Sequence, residues 1–133
     1  MASSVCRADP TQLDVSKLEA AEQRWAQASL QNYRFTFQYH EFVSPCELFA
    51  FDVVVSRGVP DRRADCSKYR ATFASVPSLF KYLHRALKRH PYQIEAEFDS
   101  TLGYPLSASI AWSDMADDFF AFEVVHFSSN IHE

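Results

Sequence analysis

Phe98–Trp112 reads FDSTLGYPLSASIAW, and the fold turns on how this stretch is read. Upstream, Tyr92, Ile94, Ala96 and Phe98 alternate with Gln93, Glu95, Glu97 and Asp99. Downstream, Leu106, Ala108, Ile110 and Trp112 alternate with Ser107, Ser109 and Ser113. An apolar period of two on both sides predicts two strands, each with one buried face. Between them stand turn formers with separate physical reasons. Gly103 can adopt positive φ, while Pro105 fixes its own φ and pushes Tyr104 toward an extended backbone. The stretch predicts a β-hairpin with a loop of about five residues, and Gly103, Tyr104 and Pro105 form its structural turn. The chain has only two glycines, so one placed here points to a backbone requirement. A loop that touches a ligand is the other use of such a turn.

Outward from the hairpin, the same logic orders the rest. Ser16 and Glu19 have capping-box spacing before an apolar stripe of Leu18, Ala21, Trp25 and Ala28, which predicts a helix with Trp25 as its anchor on a sheet. Tyr33, Phe35, Phe37 and Tyr39 then alternate with Arg34, Thr36, Gln38 and His40, a strand with one heavily buried aromatic face. Phe49, Phe51, Val53 and Val55 predict the next strand, which runs to a turn at Arg57-Gly58. Val59–Cys66, with its charges and Pro60, suits a short or irregular edge strand. A second helix opens at Ser75 with Pro77 in its first turn, buries Val76, Leu79, Phe80, Leu83 and Leu87, and stops at His90-Pro91. Its other face and its end carry Lys81, His84, Arg85, Lys88, Arg89 and His90. Cations there oppose the helix dipole and solvate an exposed face, and a patch for an acidic partner is the functional alternative. Phe119–Phe127 is the last strand, with Phe120, Phe122 and Val124 on one face and Glu123 on the other.

The expected fold class is α+β, in the order α-βββ-α-βββ. One antiparallel sheet of five to six strands carries two helices on its aromatic face. The opposite face, with Thr36, Gln38, His40, Glu95, Glu97, Ser107 and Ser109, is polar enough to meet water. Residues 1–13 read as a flexible tail, 14–128 as a single domain and 129–133 as a frayed end.

Composition narrows the function. Apolar residues make up 47% and Phe occurs twelve times, enough for a core without metal or dense disulfides. A net charge of −4 offers no basic surface of the kind nucleic acid requires. No apolar run reaches the ~18 residues of a membrane span. Met1–Pro10 lacks the apolar segment of a signal peptide, although a mature secreted chain would start the same way. Three cysteines are an odd count. Cys46 and Cys66 flank a strand hairpin and would pair in an oxidising compartment, leaving Cys6 free; three unpaired thiols are the alternative.

Glycines at Gly58 and Gly103 alone exclude a phosphate loop, a dinucleotide fingerprint and a nucleophile elbow. Zinc spacings of the HExxH or CxxC kind do not occur. No catalytic residue, metal ligand or cofactor is therefore expected. Weaker constellations remain. His40 and His126, on strands, could meet Glu95 or Glu97 as a metal site or acid–base pair. Cys46 or Cys66 could act as a nucleophile with His40, though nothing points to a lowered thiol pKa. Asp114, Asp117 and Asp118 could hold calcium, but the loop lacks the alternating ligands of an EF-hand and suits a solvated acidic turn.

Several spaced features together resemble a bacterial family catalogued as a domain of unknown function, number 6174. They are Trp25 and the helix leading into Asn32-Tyr33, Pro45-Cys46, Val53-x-Val55-x-x-Gly58-Val59, TFASVPSLF over Thr72–Phe80, and Phe98-Asp99 followed by Leu102-Gly103-Tyr104-Pro105. The resemblance covers about residue 18 to residue 127. It implies a small, usually exported protein, hence an extracytoplasmic mature chain, and implies no activity. The chain departs from it after Pro45-Cys46, where a second nearby cysteine is missing.

Two functional classes follow. One is a non-enzymatic protein-binding module of the inhibitor or immunity type. It would present Asp114, Asp117, Asp118, His40, Glu95 and Glu97 to another protein. The other is a small-ligand binder or enzyme, with a pocket between helices and a curved sheet lined by His40, Tyr39 and Tyr104.

Overall fold

Alternating aromatics and two capped helices give one open antiparallel sheet and two helices. The structure, a computed structural model, describes residues 11–41, 49–61, 72–115 and 118–129. Its elements in chain order are β1 (Thr11–Gln12), α1 (Val15–Ala28), β2 (Tyr33–Glu41), β3 (Phe49–Ser56), β4 (Val59–Pro60), α2 (Val76–Lys88), β5 (Gln93–Phe98), β6 (Pro105–Ala111) and β7 (Phe119–Ser128). The six strands of the two three-strand runs are joined by a seventh, β1, which the sequence pattern did not suggest. The sheet order is β1-β5-β6-β7-β2-β3-β4. Each run is a meander, and the two meet where β7 pairs with β2, from Arg34↔Ser128 to Glu41↔Phe120.

The tail is anchored earlier than its composition suggests. Thr11 and Gln12 pair with Ala96 and Glu95, the Leu13 N–H donates to the Ile94 carbonyl at 2.9 Å, and Leu13 is buried. The first helix also starts differently. Asp14, not Ser16, is the N-cap, and its carboxylate accepts the Lys17 N–H at 2.8 Å. An aspartate in extended backbone does this at once, so Ser16 lies inside the first turn. The second cap is the expected one. Ser75 and Ser78 exchange side chain–backbone bonds, with Pro77 in the first turn.

The core is aromatic and belongs to β2. Tyr33, Phe35, Phe37 and Tyr39 are all buried. Trp25 of α1 meets Tyr33 edge-on at 5.1 Å, and Phe73, just before α2, stacks on Phe37 at 4.5 Å. Such ring pairs contribute beyond their buried area. The Tyr33 hydroxyl also accepts the buried Val76 N–H at 3.0 Å, which satisfies one of the donors that every helix start leaves unpaired. Between the helices, Glu22 and His84 meet at 2.8 Å.

One irregularity re-aims a side chain. Arg34 faces Ser128 while Thr36 faces Val125, so β7 carries an extra residue there, and His126 takes φ 57°. The bulge turns Phe127 to the buried side. Its ring stacks on Tyr104 at 4.1 Å and lies 5.7 Å from Tyr33.

Candidate functional site

The sheet register collects the polar residues of the second face into rows. Glu95, Ser109, Ala121 and His40 stand opposite one another across β5, β6, β7 and β2. The next row is Glu97, Ser107, Glu123 and Gln38, by the same pairings. Small side chains on β6 and β7 make a floor, and carboxylates stand on both sides of it. The result is a shallow groove of about 360 Å³ lined by His40, Glu95, Glu97, Ser107, Ser109 and Glu123 among others. Glu95 is steadied by the Gln93 side-chain amide at 2.9 Å. The structure thus brings His40, Glu95 and Glu97 onto one surface. Sequence reading put Glu123 on this face without counting it in the candidate surface and missed Ala121, although its parity on β7 carries the signal.

His126 is not part of this group. The bulge places it in a second groove, of about 530 Å³, with Arg34, Thr36, Asp52, Asp61 and Ser128. There Thr36 donates to Asp52 at 2.8 Å. His126 therefore does not join His40 in the groove with Glu95 and Glu97. Among the described residues no group of three histidine, cysteine or acidic side chains is placed to hold a metal ion. Cys46 and Cys66 lie outside the described residues, as does Asp117. Asp114 and Asp118 are exposed on the β6–β7 turn, which closes through Trp112 N–H to the Asp118 carbonyl at 2.8 Å.

The pocket that the alternative reading would use does not bring His40, Tyr39 and Tyr104 together among the described residues. Tyr39 is buried in the aromatic core, and His40, its neighbour in the strand, points to the opposite face. Tyr104 is packed under Phe127. Burial, and then the nearby Asp99 carboxylate, raise the Tyr104 phenol above its ordinary pKa. Burial likewise raises Tyr33, against the opposing pull of the Val76 N–H.

The Gly103-Tyr104-Pro105 turn is tied down by hydrogen bonds and packing. Asp99 organises it: its carboxylate accepts the N–H groups of Leu102 at 2.7 Å and Thr101 at 3.1 Å. Its backbone N–H donates to the Tyr104 carbonyl, and its carbonyl accepts from Gly103, both at 2.9 Å. The turn lies against α1. A Cβ on Gly103 would sit 2.3 Å from the Ala21 carbonyl oxygen and 2.9 Å from Arg24 Cβ, and the residue has φ 88°. Asn32 plays a matching part, its side-chain oxygen accepting the Arg57 N–H at 3.0 Å across the β3–β4 turn.

Fold and surface together define a small α+β module, with an aromatic core on one side of its sheet and a polar, carboxylate-lined surface on the other. The chain belongs to the family of unknown function DUF6174, whose model matches residues 17–129. No curated protein and no solved structure matches it. No helix among the described residues is long and apolar enough to cross a membrane, which leaves β-barrel spans unaddressed.

Proposed function

We propose that this chain is a non-enzymatic protein-binding module whose open sheet face receives a basic partner, in the manner of small inhibitors and immunity proteins. The observation that carries the reading is the groove over β6 and β7. Its Ser/Ala floor lets a partner's side chains approach the sheet, while Glu95, Glu97 and Glu123 supply complementary charge around it. Both helices cover the opposite, aromatic side in this reading, so the polar side stays available. Asp114 and Asp118 stand at one end of the same strands and extend the negative field. Such a field speeds encounter with a cation-rich partner at low salt. A stiff aromatic core suits the role, because a preorganised surface loses little entropy on binding.

The test is recovery of a partner from the native host on immobilised protein, followed by the double variant Glu97→Lys/Glu123→Lys. The variant should keep its thermal midpoint and lose the partner. Retention of the same partner at unchanged affinity would place the interface elsewhere and defeat the reading.

A further inference from the structure

The helix side carries charge of the opposite sign. α2 contains Lys81, Arg85 and Lys88 and no acidic residue. Its buried residues are Val76, Leu79, Phe80, Leu83 and Ala86. At 3.6 residues per turn this places Lys81, Arg85 and Lys88 on the outward pole, away from the sheet. All three are exposed, as is Arg89 at the helix end. On α1 the outward residues Ser16, Ala20, Gln23 and Gln27 are exposed and uncharged, and exposed Lys17 and Glu19 beside them offset each other in charge. A chain with a net charge of −4 thus has one cationic side, and it lies opposite the carboxylates of the sheet.

An aromatic cluster lies where this stripe ends. The Arg89 guanidinium sits 4.4 Å above the Trp112 ring. Tyr92, whose N–H donates to the Trp112 carbonyl at 3.4 Å, is 66% exposed. Met115 nearby is 62% exposed, although Asp114 and Asp118 flank it on the same turn. Cations along a helix with exposed aromatic surface at its end are the composition of a face that rests at a lipid headgroup layer.

We infer that the outer surface of α2, with Tyr92 beyond its end, docks on an anionic lipid bilayer. A flat negative surface attracts the cationic side and repels the acidic one, so the charge asymmetry orients the molecule with its helices down. A polyanion that wraps a protein would meet the sheet carboxylates as well, which disfavours nucleic acid as the occupant. The inference is independent of the partner surface on the sheet, because the two use different residues.

Flotation with phosphatidylcholine vesicles, with and without phosphatidylglycerol, tests it at low and high salt. The protein should float with the anionic vesicles only and be released as salt rises. The triple variant Lys81→Glu/Arg85→Glu/Lys88→Glu should bind at least about tenfold more weakly, and Tyr92→Ser should weaken binding a few-fold. Glu97→Lys/Glu123→Lys should not weaken it. If the triple reversal does not fold, Lys81→Gln/Lys88→Gln supplies the same comparison with a smaller loss. Equal binding to neutral vesicles, unchanged binding of the charge variants, or equally tight capture by polyglutamate or duplex DNA would overturn the inference.

Discussion

Gly103 and Gly58 both hold positive φ, at 88° and 77°, yet they answer to different constraints. A Cβ at Gly58 meets nothing within 4 Å, whereas at Gly103 it collides with the α1 backbone. Gly58→Ala should therefore cost about 1 kcal/mol, the conformational term alone. Gly103→Ala should cost about 3 kcal/mol or more, since strain and a backbone clash add. Denaturant midpoints of the two variants decide this, and equal losses would mean that the turn does not press on α1. Tyr33 is the second telling residue. Tyr33→Phe leaves the Val76 N–H buried without its partner and should cost about 1–2 kcal/mol. Tyr33 and Tyr104 also set an alkaline limit. Their folded pKa values lie above the ordinary 10.0, so the native state holds these protons more tightly than the unfolded chain. That contribution is complete below pH ~10 and falls away as pH rises through the folded values. A melting temperature that declines above pH ~10, and declines less in the double Tyr→Phe variant, is the expected result.

Elements were legible where one force acted alone. The β2 pattern of Tyr33, Phe35, Phe37 and Tyr39 read as a buried face because alternation over a whole strand leaves no other arrangement. Ser75 was readable as a cap because Pro77 follows it. The start of α1 was not, since Asp14 and Ser16 are both good caps and only backbone geometry chooses between them. Asp14→Ala should thus cost about 1 kcal/mol and Ser16→Ala far less, measured by thermal unfolding. The docking of α1 by Trp25 was foreseen, and Trp25→Ala should cost about 3–5 kcal/mol. The bulge at His126 left no mark in the sequence. Bulges are commonly flagged by glycine, and here a histidine takes the left-handed conformation. That single displacement turned His126 away from the aromatic face and packed Phe127 against the core. Several of the spaced residues behind the family resemblance make contacts that hold the fold. Asn32 ties a turn, Tyr33 caps a helix, and Asp99 with Gly103 holds the hairpin loop on α1.

At the scale of the whole molecule the two binding proposals use opposite charges, the carboxylates of the sheet groove and the cations of α2. The candidate face was legible as a list of polar residues, because strand parity assigns faces. Its organisation into rows was not, since register between β6, β7 and β2 depends on which meander edges meet. The acidic turn gives a kinetic prediction at this scale. Reversing Asp114, Asp117 and Asp118 to Lys should slow association with a basic partner and flatten its dependence on salt, with no loss of melting temperature. Stopped-flow rates at two ionic strengths check it, and an unchanged low-salt rate would reduce the turn to a solvated loop.

β7, the last of the described strands, occupies the middle of the sheet between β6 and β2. The seam that unites the two meanders joins residues as far apart as Arg34 and Ser128. During synthesis the first meander must therefore wait, with one edge of β2 unpaired, until β7 has been made. Contacts this distant in sequence slow folding and lengthen the time in which a bare strand can find a foreign partner. Loss of the final ten residues of the sheet, Phe119–Ser128, would not trim a border but divide the domain down its centre.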